Sequence, residues 1–305
     1  MIRKMFLSAG LLLSGISQAQ DATYSIGQVA LPEEMNKQVC ISGMTWYNGL
    51  LYFASERCPQ IFAFDPSTLQ IVKTLSLQVP QEFEMEGITN YNGKLYLVSE
   101  QLVAVYEADP QTGAVRTVAT SVPLPPKSKN GDGTEGIASF ERHKKIYILR
   151  ERNNERTQAE LYTYTAAADA NGQVSLQYES TMTLPLENPQ WRYSDICTDT
   201  VNNRLVLLKS YSKGKLRQQY LEQIRVDTNG ALVKESLAGI NVENFSGISN
   251  IYKEEDFSMN LEGIVFDPAG SVYVISDNTS GKAICAEPAK EKTILLQLKK
   301  NKPAN

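Results

Sequence analysis

Histidine is nearly absent from this chain: of 305 residues only His143 is one. A Ser-His-Asp triad needs an imidazole beside its nucleophile, and zinc centres draw on imidazole or closely spaced thiolates. A lone histidine and no Cys pair at metal spacing disfavour both. No Gly-rich loop runs into Lys-Ser/Thr, so a nucleotide-binding P-loop is missing as well. The 30 basic and 34 acidic residues give a net charge of −4 without the Lys/Arg runs that track nucleic acid, and nucleic-acid binding is disfavoured. Met5 to Ile16 is apolar but short against the roughly 20 residues a bilayer span needs. Arg3 and Lys4 precede it and Ser17-Gln18-Ala19 follows, the pattern of a cleaved secretory signal over residues 1–19. With no Cys in the cleavage region, a lipoprotein anchor is not expected. The mature chain is expected in the periplasm or secreted, without membrane insertion.

Cysteine is sparse too, with four residues in a chain read as exported, where disulfides persist. Asn48-Gly49 is a hairpin signal, and in a hairpin centred there residues whose numbers sum to about 97 face one another. Cys40 and Cys58 nearly meet that condition, so a cross-strand bridge between them is expected. Cys197 and Cys285 form a second bridge or two separate thiols on this reading.

What the chain does contain is a repeat. Ser42-Gly43-Met44, Glu86-Gly87-Ile88, Glu135-Gly136-Ile137, Ser194-Asp195-Ile196 and Glu262-Gly263-Ile264 each open a strand that turns tightly into a second one. Their starts lie 44, 49, 59 and 68 residues apart, a spacing suited to the blades of a β-propeller. Residues 87–122 read as a four-stranded meander, with Asn92-Gly93 and Asp109-Pro110-Gln111-Thr112-Gly113 as turns. The last repeat has three strands of its own, and Tyr24 to Leu31 reads as the missing outer one. Pairing the two ends removes exposed sheet edges. The expected fold is therefore all-β: one propeller over residues 20–305, with five blades of four strands and a ring closed by the N-terminal strand. A six-bladed ring stays open, its extra sheet lying within 171–186.

The ordered set Ser42-Gly43, Glu86-Gly87, Glu135-Gly136, Ser194-Asp195 and Glu262-Gly263 resembles the SdiA-regulated family of bacterial β-propellers and, more distantly, the "esterase-like activity of phytase" family. The resemblance covers most of residues 40–280. It implies the propeller fold and, through the phytase-like group, hydrolysis of a phosphoester or ester.

In a propeller the inner strands line the channel, so the motif carboxylates Glu86, Glu135, Asp195 and Glu262 converge at one mouth. Second-strand tips add Glu56, Glu100, Glu151 and Asp277, with Arg57, Arg150, Arg152, Lys209 and Asn278 beside them. Crowded carboxylates need a cation to offset their repulsion, and hard oxygen ligands suit Ca²⁺. A calcium ion on Glu86, Glu135, Asp195 and Glu262 is the expected cofactor. A bracing role is equally open: carboxylates accepting N–H groups from the next blade, with Gly permitting close approach. Trp191 and Arg192 run into the Ser194 motif and either meet an anionic or sugar-like ligand or, for Trp191, pack between blades 3 and 4. Residues 127–133, preceded by Pro123, Pro125 and Pro126, reach the same mouth as a flap. His143 lies in a turn on the opposite face.

The sequence thus points to a monomeric exported propeller binding calcium and a small or polymeric anionic ligand. Metal-assisted hydrolysis of a phosphoester, ester or lactone is one activity consistent with it. The alternative is a non-catalytic envelope module for a protein or glycan partner.

Overall fold

Strong turn signals punctuate the chain and cut it into hairpins. In the computed structural model, which describes residues 24–37, 40–79, 83–214, 216–241, 260–278 and 291–300, the Asn-Gly turns between the inner two strands of blades 1 and 2 adopt positive φ at both central positions: Asn48 49° and Gly49 81°, Asn92 49° and Gly93 73°. That conformation matches the strand twist of a two-residue hairpin. Outer turns use aspartate instead. Asp109, Asp169, Asp227 and Asp267 each accept a backbone N–H from a residue two or four positions on, at 2.8 Å.

These hairpins assemble into five four-stranded antiparallel sheets, the blades of a propeller. The inner strands are β2 (Ile41–Tyr47), β6 (Met85–Tyr91), β10 (Thr134–Phe140), β14 (Trp191–Asp199) and β18 (Leu261–Phe266). Each contacts the next around the ring, and β18 returns to β2. Strand β1 (Tyr24–Val29) pairs with the last strand, β20 (Leu295–Lys300), from Tyr24↔Lys300 to Val29↔Leu295. The ring is closed as the sequence suggested. Residues Val174–Pro185, where a sixth blade stayed open, form the outer strand of blade 3. Residues 1–23, which include the expected signal, and Cys285 lie outside the described residues.

Five hydrophobic clusters fill the gaps between neighbouring blades; Phe53, Phe64, Ile275 and Leu295, for example, join blades 5 and 1. Apolar burial therefore glues blade to blade, and the channel is left to other residues.

The expected Cys40–Cys58 bridge is overturned. Cys40 carries a buried thiol and no disulfide. The hairpin keeps its register from Tyr47↔Leu50 to Gly43↔Ala54, then shifts by one so that Ile41 faces Ser55. Cys40 is consequently opposite Glu56, whose N–H it accepts at 2.8 Å. Beyond Ser55 the chain turns, and the N–H of Cys58 bonds the Ser55 hydroxyl at 3.1 Å. A β-bulge, invisible to arithmetic on residue numbers, moved the pairing.

Inner-strand glycines set the ring's tightness. A Cβ on Gly87 would stand 2.8 Å from the Ile137 nitrogen and 2.9 Å from the Glu135 carbonyl oxygen, whereas one on Gly27 in β1 would meet nothing within 4 Å. Gly87→Ala should cost about 1–3 kcal/mol in a denaturant titration, the usual cost of overpacking. Gly27→Ala should stay within about 0.5 kcal/mol of the parent, as surface changes do.

Candidate functional site

The same irregularity occurs in every blade. Register shifts fall between Ile41 and Gly43, Met85 and Gly87, Thr134 and Gly136, Tyr193 and Asp195, and Leu261 and Gly263. The extra residue in each bulge is the first of the repeat motif: Ser42, Glu86, Glu135, Ser194 and Glu262. A bulged residue leaves the ladder and its side chain is re-aimed, a device common beside active sites. All five are buried.

A second tier comes from the residues just past the second strands. The N–H of Glu56 bonds the Cys40 carbonyl at 2.8 Å, that of Glu100 the Glu84 carbonyl at 3.1 Å, that of Glu151 the Gly133 carbonyl at 3.0 Å, and that of Asp277 the Asn260 carbonyl at 2.9 Å. One repeated backbone contact thereby fixes four carboxylates. Both tiers meet in a cavity of about 170 Å³ lined by Glu56, Glu86, Glu100, Glu135, Glu151, Glu262 and Asp277, with Ser42, Gly131 and Arg192. Among the described residues seven carboxylates and one guanidinium, that of Arg192, line the cavity, while Arg57, Lys127 and Arg152 bond Glu56, Glu100 and Glu151 without lining it.

Asp195 does not join them. In its motif it holds the glycine position, one residue past the bulge, and so faces the neighbouring blade. Its Oδ2 accepts the Ile264 N–H at 2.8 Å. The bracing role thus belongs to Asp195, while Glu86, Glu135 and Glu262 line the cavity.

Blade 4 is the odd sector, with Ser194 and Ser210 where the other blades place carboxylates in one or both tiers. Arg192, two residues before the bulge, fills that sector. It bonds Glu262, reaches Glu151 at 3.4 Å and donates to Asn260 Oδ1 at 3.1 Å. Ser42 donates to Glu86 from the opposite side.

The remaining expected ligand contacts are pulled elsewhere. Arg57 pairs with Glu56 and, at 2.9 Å, with Glu84. Arg150 holds Glu160 at 3.1 Å, and Arg152 holds Asp132 at 2.7 Å and Glu151 at 3.2 Å. Lys209 is buried against Glu187 and Glu222. Its ammonium lies 5.2 Å from the Trp191 ring, which packs with Tyr211 and Tyr220 in the cluster joining blades 3 and 4. Asn278 donates to the Met35 carbonyl at 3.5 Å. None of these side chains lines the cavity.

One residue that sequence reasoning passed over, Glu84, and one that it placed at the mouth without partners, Lys127, now matter. Glu84 precedes its bulge by two positions, as Arg192 does, and that offset could have found it. Lys127 was placed in the flap, but its ammonium sits between Glu84 at 2.7 Å and Glu100 at 2.5 Å.

A larger cavity of about 240 Å³ opens at the far end of the inner strands. Its floor is Met44, Ile88, Ile137, Ile196 and Val265, and its polar rim is spent on itself: Asn90 donates to Thr45 and to the Trp46 carbonyl, and Asp199 pairs with Arg204. Although larger, it lacks convergent unspent charge. Glu141, in the turn that carries His143, belongs to this end, far from the carboxylates.

The family model for phytase-like proteins, described as esterase-like activity of phytase, matches residues 67–279. The chain belongs to that family. The match falls on the more distant of the two resemblances drawn from the sequence. No curated protein matches the chain. Among solved structures, the glutaminyl cyclase of Myxococcus xanthus is similar at 11% identity and a TM-score of 0.52, covering 92% of this chain and 99% of its own. The PQQ-bound aldose sugar dehydrogenase of Streptomyces coelicolor is similar at 11% identity and a TM-score of 0.47, covering 91% and 99%. Such likeness extends to the fold alone.

Electrostatics follow from crowding out of water. Burial pushes Glu56 and Glu100 up to about 7 and Glu262 up to about 8, the last against the pull of Arg192. Glu86 and Glu135 are held well above the usual carboxylate range, first by burial and then by neighbouring carboxylates. These groups bind protons more tightly folded than unfolded. Their contribution to stability is complete below about pH 4.5 and is lost as pH rises through 7 to 8. Metal-stripped protein should therefore melt at a lower temperature at pH 8 than at pH 5.5, as read by circular dichroism. A flat or rising profile across that window would contradict this electrostatic picture.

Proposed function

We propose that the acidic cavity is a divalent-cation centre, selective for Ca²⁺, in an exported propeller that hydrolyses an anionic phosphoester or ester. The observation that carries this reading is the convergence of seven carboxylates from four blades on one small cavity with a single arginine. Two buried oxygens there, Glu100 Oε1 and Glu262 Oε2, have no hydrogen-bond partner. Leaving polar oxygens buried without partners is costly, and a bound cation would complete them and favour their ionised form.

The donor set fits. Glu100, Glu135 and Glu151, all buried, each offer an oxygen within 4.8 Å of the others. Hard carboxylate oxygens without imidazole or thiolate suit Ca²⁺ rather than zinc. When bound, Ca²⁺ would polarise a phosphoryl or carbonyl oxygen and lower the pKa of a coordinated water. Around it the chain's own groups have distinct tasks. Arg192 would bind and orient the anionic group of the ligand, because its guanidinium is the one cation lining the cavity among the described residues. Glu262, poised near neutral pH, can hold or release a proton at its carboxyl group. The aliphatic ring at Met44, Ile88, Ile137 and Ile196 lies on the far side of the motif, so ligand would enter from the tip side.

Metal-stripped protein supplied with Ca²⁺ at about a hundred times its Kd should gain roughly 2.7 kcal/mol, or about 5 °C in Tm for a chain of this size. Glu135→Gln should reduce that shift by at least half while retaining the fold. Under the same conditions p-nitrophenyl phosphate, p-nitrophenyl acetate and a simple lactone separate the possible activities. Calcium-dependent turnover that falls at least tenfold in Arg192→Met places catalysis here. A calcium shift without turnover of any of the three would favour the non-catalytic binding module.

A further inference from the structure

Glu100 takes part in two carboxylate groups. With Glu135 and Glu151 it forms the group assigned above, and with Glu84 and Glu86 it forms a second whose oxygens also lie within 4.8 Å of one another. The two groups share that one side chain, so they define adjacent cation positions. Their occupancy differs. In the second, the Lys127 ammonium stands 2.7 Å from Glu84 Oε2 and 2.5 Å from Glu100 Oε2, while Arg57 takes the other Glu84 oxygen at 2.9 Å. In the first, Glu151 Oε2 lies 3.2 Å from Arg152 and 3.4 Å from Arg192, with no lysine between its members among the described residues. Glu100 Oε1, on the carboxylate the two groups share, is buried without a hydrogen-bond partner.

The segment bearing Lys127 is built to deliver it. Arg150 donates to the Pro126 carbonyl at 3.3 Å, just before the lysine. On its other side Ser128 bonds Asp132 through backbone at 2.7 Å and side chain at 3.0 Å. Asp132 is 2% exposed and is gripped by Arg152 at 2.7 Å and by Arg156 at 2.8 and 2.9 Å. Gly133 then lies directly on Glu100: a Cβ there would stand 2.4 Å from its Cγ and 2.5 Å from Oε1. The ammonium is thus held in place by a braced strap rather than by a freely moving side chain, which reduces the entropy lost on pairing.

We propose that Lys127 is a tethered cation filling one of two adjacent divalent-ion positions, so that the chain takes a single ion, and that removing the ammonium opens a second position for Ca²⁺ joined to the first through Glu100. The proposal rests on the metal-centre reading of the cavity and adds the number of ions and what limits it. Its physical basis is charge balance. Glu84, Glu86 and Glu100 crowd their carboxyl groups together, and the Lys127 ammonium, in direct contact with Glu84 and Glu100, offsets that crowding without drawing on solution calcium.

Native mass spectrometry and calorimetry on the full chain, loaded with Ca²⁺ alone, would count the ions. Lys127→Met is expected to bind one Ca²⁺ more than the parent, with Lys127→Arg matching the parent. An equal count in Lys127→Met and the parent overturns the proposal, whatever that count is. Where Lys127→Met does not fold, Lys127→Gln serves with the same expectation. Two ions on the unsubstituted chain would also overturn it without any variant. A parent that binds no Ca²⁺ sinks the metal reading of the native cavity and the single-ion count with it, whereas a parent with one ion and a Lys127→Met variant also with one overturns only the role given to the lysine.

Discussion

Five inner strands must approach one another closely enough to close a ring, and everything at the channel follows from how the backbone permits it. At Gly43 and Gly87 an added Cβ would press on the backbone of the next inner strand at 2.8–2.9 Å, and at Gly136 on the Asp195 carboxylate and Ile196. The bulge immediately before each of these positions lifts one residue out of the ladder. Closure and site construction are therefore a single event: the glycine lets the strands converge, and the bulge turns the preceding side chain toward the place where they do. Asp195 shows the exception that the geometry allows. It has no room to act as a spacer, so it serves as a brace, accepting the Ile264 N–H across the blade boundary.

Concentrating carboxylates in this way carries an electrostatic cost, and the chain offsets it with three kinds of cation. Protons are retained by Glu56, Glu100 and Glu262 near neutral pH. Arg192 occupies the sector where blade 4 lacks acids, and Lys127 arrives from a strap outside the blades. The stability of the ring comes from elsewhere, from the five apolar clusters between blades. Because the core lies between blades and not on the axis, the axis is free to hold groups that no hydrophobic core would tolerate.

Much of this was legible in advance because turns and strand alternation are local. Asn48-Gly49 and Asn92-Gly93 specify their hairpins, and the three-stranded last repeat calls for a partner that Tyr24–Val29 provides. The converging acids at Glu86, Glu135 and Glu262, and at Glu56, Glu100, Glu151 and Asp277, follow from strand starts and strand tips. The errors share one cause. Reading Cys40 opposite Cys58, and grouping Asp195 with the motif glutamates, both assume an unbroken ladder. A one-residue bulge shifts every pairing beyond it and exchanges the faces. Glu84 was missed, and Lys127 was placed at the mouth without its partners, for a related reason, since their meeting with Glu100 depends on where a long strap comes to rest.

By itself, then, the sequence determined the propeller architecture, the closure of the ring and the end of the channel at which charge accumulates, while the choice of five blades over six waited on Val174–Pro185 pairing into blade 3. Those properties rest on periodicity, and a period is carried by nearest neighbours along the chain. Only the tertiary structure decided which carboxylates share one cavity, which one braces the ring, and which basic groups reach in to meet them. Those outcomes depend on distances of a few ångströms between residues far apart in the chain, set by bulges and packing that no local pattern encodes.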